Sequence, residues 1–525
     1  MKSIFFLLVL FGSFCSGFAQ TTIIPEPASS QMEEGKALKI NQIRFFCQPG
    51  QEVLVRNFSQ RLAGFGIKLK DTKQANLKTA NLVLEKVSQV SGKEAYRLVI
   101  TPEAATVQAS TDAGLFYGLQ SVLQLAVAAP LASGMQISCG TIQDQPHFGW
   151  RGLMLDESRH FFGKEKVKQL LDWMAFYKLN RFHWHLTDEP GWRIEILKYP
   201  KLTSVGGIGN YIDPKAPATF YTQAEVKEIV QYAAERCIEI IPEIDMPGHA
   251  AAANRAYPEF SGGGSERYPE FTFNPGKEET YRFLTDILTE VAQLFPSKYI
   301  HLGGDEVHFG NQQWNTNADV QALMKKQNLK DLQAVEFYFI NRMSKEVAAL
   351  NKTMIGWDEI VTAGIPASQC VTMWWRHDKT EQLNLALKQG YHTVLCPRIP
   401  LYFDFVQSAS HKSGRYWKKD FASLEKILGF RSFYNETLSS YPELIDGIQA
   451  NIWTETIHSA ERLDYMTYPR MAALADVAWS RNPAPEYKDF IRRMQPSFRL
   501  YQEKNISYFN PENPESTPEI VGVKK

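Results

Sequence analysis

The 525-residue sequence has no excess of either charge, since it carries 57 Lys and Arg against 57 Asp and Glu. Nucleic-acid-binding proteins and basic membrane-surface proteins show a basic surplus, so neither class is indicated. Six cysteines are too few for a disulfide framework, and we interpret them mainly as free thiols, although one disulfide remains possible. No internal repeat stands out. What remains is an ordinary globular composition, with 44% hydrophobic and 22% charged residues.

After residue 20, no apolar run approaches the roughly 18 residues that a membrane-spanning helix needs. The run Ile4–Phe11 is shorter, follows a lysine and precedes the small-x-small segment Gly17-Phe18-Ala19. This pattern is typical of a signal peptide. We therefore expect the mature protein to be exported, either to the periplasm or by secretion. A lipid anchor on Cys15 is the weaker alternative, because the two residues before it fit a lipoprotein signal poorly.

Tryptophan and histidine are absent from residues 1–145, whereas all eleven residues of each type lie after that point. Sugar stacking and proton transfer use these side chains, so we expect the chemistry in the later part of the chain. The first part is predicted to be a smaller α+β domain. The predicted units are a signal peptide at 1–19, an accessory domain at 20–145, a catalytic domain at 146–481, and a C-terminal helical extension and tail at 482–525.

Local patterns predict some elements outside the catalytic domain. The runs Tyr96–Ile100 and Ala105–Ala109 indicate a hairpin of strands. Asp112 is expected to cap a following apolar helix, Ala113–Leu125. Near the end of the chain, Tyr487–Gln502 is predicted to form one helix before a polar tail.

Between residues 150 and 480, eight β-rich runs alternate with amphipathic helical runs, the last of which is Ile457–Trp479. Eight strands with interleaved helices predict a parallel sheet, which closes most economically into a (β/α)8 TIM barrel. An open doubly wound sheet is the alternative, but it usually carries a glycine-rich phosphate turn after its first strand, and none is present. The predicted strands are Gly152–Asp156, Arg181–Thr187, Ile238–Glu243, Tyr299–Gly303, Thr353–Trp357, Cys370–Trp375, Thr393–Cys396 and Ile448–Trp453.

The predicted strand ends carry the unusual side chains of this sequence. Active sites of TIM barrels lie at the C-terminal ends of the strands. Carboxylates, an arginine and several tryptophans there indicate a carbohydrate site, because indoles stack on sugar faces and charged groups hold hydroxyls. The residues in question are Asp156, Arg159, His160, Asp188, Asp245, His249, Asp305, Glu306, Trp357, Trp374, Tyr402, Asp404, Trp453 and Glu455.

The segment His301-Leu-Gly-Gly-Asp-Glu306 is the most informative. Neighbours on a regular strand point to opposite faces, so Asp305 and Glu306 can face one substrate only if the strand has already ended. The two glycines give the backbone freedom for that break. Two adjacent carboxyls disfavour double ionisation, so one stays protonated near neutral pH, as a general acid must. A solvent-exposed acidic turn is the alternative, which the position after strand four disfavours.

Seven motifs occur in order along the predicted barrel. They are Trp150-Arg-Gly-Leu-Met-Leu-Asp-Glu-Ser-Arg-His160, Asn180-Arg-Phe-His-Trp-His-Leu-Thr-Asp188, Pro242-Glu-Ile-Asp-Met-Pro-Gly-His249, His301-Leu-Gly-Gly-Asp-Glu306, Gly356-Trp-Asp-Glu359, Tyr402-Phe-Asp404 and Trp453-Thr-Glu455. With these motifs the chain resembles glycoside hydrolase family 20, the β-N-acetylhexosaminidases. The N-terminal region also looks like the accessory domain of this family.

The resemblance implies a retaining, substrate-assisted reaction, in which the 2-acetamido oxygen of the sugar attacks the anomeric carbon and forms an oxazolinium ion. By resemblance, Glu306 is the general acid and later the base. Asp305 orients the acetamido N–H and stabilises its charge, and Tyr402 hydrogen-bonds the acetamido oxygen. His249, paired with Asp245, would support proton transfer by the acid.

The resemblance also implies how one sugar is held. Trp357, Trp374 and Trp453 would wall the pocket, whereas Trp375 should face away from Trp374 and pack elsewhere. The remaining substrate contacts implied are Arg159 with Asp188 nearby at O3 and O4, and Asp404 with Glu455 at O6 and O4.

A metal site is not expected. His183 and His185 resemble the His-x-His pair of metal-dependent barrel hydrolases. That pair belongs on the first strand with further histidine ligands on later strands, whereas here it lies on the second strand, and strands five, six and eight end in tryptophan. No other cofactor is implied.

The sequence therefore predicts an exported exo-β-N-acetylhexosaminidase that acts on glycans ending in β-linked GlcNAc or GalNAc. No nucleic-acid partner and no membrane span are expected. One alternative is a family member that releases a disaccharide from a wider pocket. A second is a sugar-binding protein on an inactive barrel, but a lectin has no need of a general acid such as Glu306.

Overall fold

The computed structural model describes residues 21–129, 134–418, 420–433, 435–481 and 486–521. The predicted signal peptide lies outside the described residues. Two sheets organise the chain: a seven-stranded sheet in the N-terminal part and a closed eight-stranded parallel barrel after it. The predicted TIM barrel with a preceding α+β domain is confirmed. Among the described residues, no helix is both long and apolar enough to cross a membrane.

The N-terminal sheet is mixed, and the predicted hairpin Tyr96–Ile100 with Ala105–Ala109 forms its antiparallel centre. The helix Asp112–Ala128 packs on this sheet so closely that a Cβ atom on Gly118 would lie 2.3 Å from a Val107 methyl. Its N-cap is Thr111 and not the predicted Asp112, because the Thr111 hydroxyl accepts the Gly114 N–H. The other elements of this part are strands Ser29–Ile40, Gln42–Phe46, Lys70–Gln74, Leu82–Lys86 and Met135–Asp144, and helix Glu52–Gly64.

The barrel closes where its eighth strand pairs with its first, from Gly447 opposite Trp150 to Ile452 opposite Leu155. Apart from residues near the N-terminal ends of the strands, such as the exposed His392, the strands are buried on both faces, as expected of a sheet covered by helices outside and filled by side chains inside. The barrel strands, in order, are Trp150–Asp156, Arg181–His185, Glu239–Glu243, Tyr299–His301, Thr353–Trp357, Cys370–Trp374, His392–Leu395 and Ile445–Ile452.

The outer helices follow the predicted pattern with one exception. The run Ile457–Trp479 is not one helix but two, Ala460–Thr467 and Arg470–Trp479, which are separated at Pro469 because proline lacks the N–H that a helix interior needs. The longer helices outside the barrel strands are Lys164–Phe176, Gln223–Ala234, Glu278–Leu294, Ala318–Gln327, Leu332–Ala349, Thr380–Lys388, Leu424–Phe433, Asn435–Ser440 and Tyr487–Glu503.

A buried carboxylate joins the N-terminal sheet to the barrel. Asp144 accepts hydrogen bonds from Tyr96 (2.7 Å), Lys178 (3.0 Å) and Trp479 (2.9 Å). The Asp144 and Lys178 side chains are fully buried. Removing one partner of such a pair typically costs about 3–5 kcal/mol, so this contact fixes the two parts relative to each other.

Candidate active site

A pocket of about 410 Å³ opens at the C-terminal ends of the barrel strands. It takes side chains from the loops after seven of the eight strands. Eight of the eleven predicted site residues line it: Arg159, His249, Asp305, Glu306, Trp357, Tyr402, Trp453 and Glu455. The other three predicted residues, Asp188, Trp374 and Asp404, lie outside the lining.

The turn after strand four presents two carboxyls to this pocket. The strand ends at His301, and Gly303 and Gly304 adopt positive φ angles of 68° and 86°. A Cβ atom on Gly303 would lie 1.8 Å from a carboxylate oxygen of Asp245, so only glycine fits there. The break in the strand lets Asp305 and Glu306 line the same cavity, as the sequence predicted.

One carboxyl of this pair, Asp305, has a raised pKa. Burial raises the pKa of Asp305 to about 7, while the His249 cation opposes this rise and the Glu306 charge adds to it. The Asp305 side chain is buried, and its Oδ1 has no hydrogen-bond partner among the described residues. A group that titrates near neutrality in a pocket, with a free acceptor atom, is suited to holding a substrate N–H.

A row of acids and imidazoles runs from the barrel interior to Asp305. Glu243 lies 2.5 Å from His185 Nδ1, and His185 Nε2 lies 2.8 Å from Asp188. Asp188 in turn lies 3.0 Å from His249 Nδ1, and His249 Nε2 lies 3.7 Å from Asp305. Acidic groups and imidazoles therefore alternate along the row.

One prediction about this row is wrong, and another, that Asp188 lies near Arg159, is confirmed. Asp188, and not Asp245, is the hydrogen-bond partner of His249, because His249 in a left-handed conformation (φ 53°) directs Nδ1 to the end of strand two. Asp188 is 1% exposed and pairs with Arg159 at 2.5 Å, so it holds pocket residues and does not line the pocket itself. The Arg159 and His249 cations hold the pKa of Asp188 far below its usual range, although burial opposes them.

The same neighbours keep His249 charged. Burial alone would lower the pKa of His249, but Asp188, Asp305 and Asp245 raise it well above its usual value. His249 therefore carries a positive charge at neutral pH. This charge favours the ionised form of Asp305, the carboxyl nearest to the outer nitrogen of the imidazole.

Four aromatic side chains form the wall of the pocket. The ring of Trp453 lies 6.0 Å from Trp357 and 6.2 Å from Tyr402, measured between ring centres. Trp357 donates its indole N–H to Glu243 at 3.1 Å, which fixes the ring. Trp375 lies nearly parallel to Tyr402, at 6.3 Å and 12°. Together these rings enclose an apolar space suited to a methyl group or a sugar face.

The prediction that Trp374 belongs to this wall is wrong. Trp374 is fully buried in the core, and its indole N–H donates to the Lys379 carbonyl. The adjacent Trp375 lines the pocket instead. Trp374 and Trp375 face opposite sides, as predicted from the alternation of side chains. It is Trp375, and not Trp374, that faces the pocket, because of the register of strand six.

An arginine that the sequence analysis missed joins the two acids at the far end. Arg415 forms an ion pair with Glu455, and its Nε lies 3.5 Å from Asp404. Asp404 is buried behind Arg415, and neither of its oxygens has a hydrogen-bond partner among the described residues. Burial raises the pKa of Asp404 to about 7, Arg415 opposes this rise and Glu455 adds to it. Free acceptors beside a cation suit a sugar hydroxyl.

Other residues of the loop after strand seven were also missed. The Arg398 guanidinium lies 4.8 Å from the ring centre of Trp375 and 4.1 Å from that of Trp417, so it stacks between the two rings. The run Arg415-Tyr416-Trp417 in a polar stretch was a sequence signal that could have been used. The pocket residues without a predicted role are Trp375, Arg398, Phe405, Arg415, Tyr416 and Trp417.

The two histidines of the His-x-His pair lie next to a buried carboxylate, that of Glu243. His183 Nε2 and His185 Nδ1 lie 2.9 Å and 2.5 Å from one oxygen of Glu243, and His301 Nδ1 lies 2.8 Å from the other. These atoms are close enough together to hold a metal ion. The Trp357 indole N–H donates to the same carboxylate, whereas Nε2 of His183 and Nε2 of His301 have no hydrogen-bond partner among the described residues.

Comparison with known protein families gives two matches along the chain. The model described as glycosyl hydrolase family 20, catalytic domain, matches residues 148–482. The model described as glycosyl hydrolase family 20, domain 2, matches residues 20–145.

Relatives of this chain are named as hexosaminidases. A β-hexosaminidase of Porphyromonas gingivalis is 36% identical over 436 residues, which cover 80% of this chain and 55% of the relative. The chain thus spans just over half the length of that relative. A β-hexosaminidase of Akkermansia muciniphila is 30% identical, with 83% of this chain and 90% of the relative covered.

Solved structures with this fold carry similar names. The exo-β-N-acetylglucosaminidase of Vibrio harveyi in complex with N-acetylglucosamine has a TM-score of 0.85 and 29% identity, covering 95% of this chain and 79% of the other. The β-N-acetylhexosaminidase of Bacteroides fragilis has a TM-score of 0.80 and 30% identity, with 93% and 97% covered.

Proposed function

Because the chain belongs to glycosyl hydrolase family 20, we propose that it is an exo-β-N-acetylhexosaminidase. It removes terminal β-linked GlcNAc or GalNAc from the non-reducing ends of oligosaccharides and glycoconjugates. The observation that carries this proposal is the pair Asp305 and Glu306 in one pocket with four tryptophans. A pocket with two adjacent carboxyls, one of them with a raised pKa, and an aromatic wall suits an N-acetylated sugar.

In the proposed reaction the protein supplies no nucleophile. The acetamido oxygen of the bound sugar attacks the anomeric carbon while the bond to the leaving oxygen breaks. Glu306 donates its proton to that oxygen, so the leaving saccharide departs as an alcohol. Glu306 then takes a proton from water. The water attacks the anomeric carbon from the face that the leaving saccharide left, which breaks the bond to the acetamido oxygen and restores the acetamido group. The anomeric configuration is retained.

Asp305 and Tyr402 act on the acetamido group. As the oxazolinium ion forms, its N–H becomes positive, and the buried Asp305 carboxylate stabilises that charge. His249 supports this role because its own positive charge favours the ionised form of Asp305. The Tyr402 hydroxyl donates to the acetamido oxygen and aligns it for attack.

The remaining pocket residues hold one sugar ring at a closed end. Arg159 is buried beside the Trp453 ring, at 5.0 Å from its centre, and is oriented by Asp188. Arg159 and Glu455 grip hydroxyls from the pocket lining, with Asp404 and Arg415 behind and beside them. A volume of about 410 Å³ lies at the lower end of small-molecule sites, which favours one sugar over the disaccharide of the alternative reading.

We also propose the unit bounds and the export of the protein that the sequence predicts. The unit bounds 1–19, 20–145, 146–481 and 482–525 rest on composition, and export rests on the pattern of the first 19 residues. Determining the N-terminal residue of the mature protein would test both the leader and its cleavage site. A first residue of Gln20 is expected, and a mature protein that begins at Cys15 with a lipid would contradict it.

The decisive test is hydrolysis of aryl glycosides. Release of the aryl group from N-acetyl-β-glucosaminide or N-acetyl-β-galactosaminide, with no comparable release from the plain β-glucoside, is expected. Equal rates on the plain glucoside would contradict the acetamido mechanism. Cleavage of a disaccharide glycoside alone would favour the disaccharide-releasing alternative, and no cleavage at all would favour a sugar-binding protein. A thiazoline mimic of the intermediate should bind much more tightly than the product sugar.

A further inference from the structure

The pocket lies above the seam where the last barrel strand meets the first. Backbone pairing between these two strands runs up to Ile452 opposite Leu155. Three residues that line the pocket follow this point: Arg159 in the loop after strand one, and Trp453 and Glu455 in the loop after strand eight. Beyond the last paired residues, hydrogen bonds that involve side chains join the two loops.

The Asp156 carboxylate is the centre of this contact. Its Oδ1 accepts the backbone N–H groups of Ser158 (2.8 Å) and Arg159 (3.1 Å), which belong to the loop after strand one. Its Oδ2 accepts the backbone N–H of Thr454 at 3.1 Å, from the loop after strand eight. Asp156 is fully buried, so water does not compete for these bonds. One carboxylate therefore fixes the two loop backbones relative to each other.

The Thr454 hydroxyl makes a second link across the seam. It lies 3.0 Å from both Oδ2 and the carbonyl oxygen of Asp156, either of which can accept its proton. The same hydroxyl accepts the backbone N–H of His160 at 3.1 Å, and Nδ1 of His160 lies 2.6 Å from the Thr454 carbonyl oxygen. The loops are thus joined on both sides of Arg159, by Asp156 before it and by His160 after it.

Each loop presents one free polar atom near the pocket. Arg159 Nε and Glu455 Oε2 are buried, and neither has a hydrogen-bond partner among the described residues. The first is a donor and the second an acceptor, and one sugar hydroxyl uses both kinds of partner. Burial alone would lower the pKa of Arg159, but Asp188 and Asp156 raise it well above its usual value, so the guanidinium stays charged.

We propose that Asp156 is a positioning residue of the active site, which holds Arg159 and Glu455 at the spacing at which both bind one hydroxyl of the terminal sugar. This inference rests on the proposed function, and O4 is the hydroxyl that the family resemblance gives to both residues. Asp156 is fully buried and does not line the pocket, so it acts through the two loop backbones. Because the spacing is fixed before the sugar arrives, binding does not have to order the loops.

The test measures discrimination for that hydroxyl. The 4-nitrophenyl glycosides of N-acetylglucosamine and of its 4-deoxy analogue differ only at O4. We call kcat/KM for the first divided by kcat/KM for the second the O4 ratio. In Asp156→Asn the amide places N–H groups where one of the two oxygens accepted them, so only one loop keeps its hydrogen bonds. The O4 ratio should therefore fall about three- to tenfold.

Asp144→Asn is the matched control, because Asp144 is another carboxylate with a fully buried side chain, and it joins the barrel to the N-terminal sheet away from the pocket. This variant should lose thermal stability but keep the O4 ratio of the unmodified protein. A purely structural role of Asp156 would lower kcat/KM on both glycosides alike and leave the ratio in place. That result, or an equal fall of the ratio in Asp144→Asn, would overturn the inference.

A second pair of variants decides the question even if Asp156→Asn does not fold. Thr454→Val removes the hydroxyl from the seam at nearly constant volume, whereas Thr454→Ser keeps it. The O4 ratio should fall at least about twofold in Thr454→Val and remain unchanged in Thr454→Ser. Equal ratios in these two variants would contradict the inference.

The unmodified protein separates this inference from the proposed function. If it hydrolyses the N-acetylglucosamine glycoside but treats the 4-deoxy analogue equally well, the inference alone is wrong. If it hydrolyses neither glycoside, the proposed function falls, and the inference falls with it.

Discussion

The two sides of the pocket are built differently. On the side of strands two to four, Asp188, His249 and Asp305 are buried and joined to one another, and they stand next to the strand ends. On the side of strand seven, Arg415 and Tyr416 are about half exposed and lie on a loop far from the strand end. We call these the inner side and the loop side.

The difference shows how the proposed work is divided. Groups that stabilise a developing charge must be fixed before the reaction, and the inner side has the burial and the fixed partners for that task. Groups that only grip hydroxyls act equally on substrate and transition state, so an exposed loop suffices for them. Substitutions on the inner side should therefore change kcat, whereas those on the loop side should change KM.

The largest effect is expected for Glu306→Gln. Without a proton donor, kcat for oligosaccharides and other poor leaving groups should fall about 10²- to 10⁴-fold. Activated aryl glycosides, which need little protonation, should lose much less. Steady-state kinetics on both substrate types measures the contrast. Equal losses on the two substrate types would contradict the role of Glu306 as the general acid.

The next effect is expected for His249→Gln, measured as a pH profile. The His249 cation lowers the pKa of Asp305, so its removal should raise that pKa further above about 7. The ionised form of Asp305 is the active form, so hydrolysis of activated aryl glycosides should decline at a higher pH as the solution is acidified.

The exposed His392 supplies the control for this profile, because it pairs with Asp446 away from the pocket. His392→Gln should leave the acid limb in place. A His249→Gln profile that loses activity without moving along the pH axis would mean that His249 acts only by packing.

A smaller effect is expected for Arg415→Ala on the loop side. Arg415 is 46% exposed, and its ion pair with Glu455 is screened by solvent. KM should rise about two- to tenfold with kcat nearly unchanged, and to the same extent for good and poor leaving groups. A fall in kcat that depends on the leaving group would show that Arg415 acts on the reaction as the inner side does. It would contradict the expectation that the loop side affects only KM.

The sequence was sufficient for much of the inner side. Eight apolar runs predicted the barrel, and carboxylates at the strand ends predicted the pocket, because both signals are local. Gly303 and Gly304 predicted the break in the strand that brings Asp305 and Glu306 together. The family resemblance supplied the proposed roles, which no residue pattern alone would have given.

What the sequence missed depends on contacts between distant residues. The alternation of side chains predicted that Trp374 and Trp375 face opposite sides. Which of the two faces the pocket depends on the register with the neighbouring strands, which the sequence does not show. The partner of His249 lies 61 residues earlier in the chain, at Asp188. The loop side was missed most, since the conformation of a long loop is set by whatever it packs against.

The loop side is held by the C-terminal tail. Glu519 accepts hydrogen bonds from the backbone N–H groups of Lys412 (2.5 Å) and Ser413 (3.2 Å), 107 and 106 residues earlier in the chain. Arg462 completes the contact, since it pairs with Glu519 at 2.7 Å and donates to the Ser413 carbonyl. The Lys412 N–H and Arg462 hold the pKa of Glu519 below its usual value although burial opposes them, so it is a carboxylate at neutral pH.

The smallest effect is therefore expected for Glu519→Gln, which removes this charge but keeps the shape. Weakening a charged hydrogen bond costs about 1–3 kcal/mol locally, and the loop that carries Arg415 should loosen. KM should rise about two- to threefold with kcat unchanged, since the tail touches no reacting atom. Glu515→Gln, an exposed acid of the same tail, is the matched control. Equal KM values in the two variants would show that the loop side keeps its conformation without the tail, and that burial alone distinguishes the two sides of the pocket.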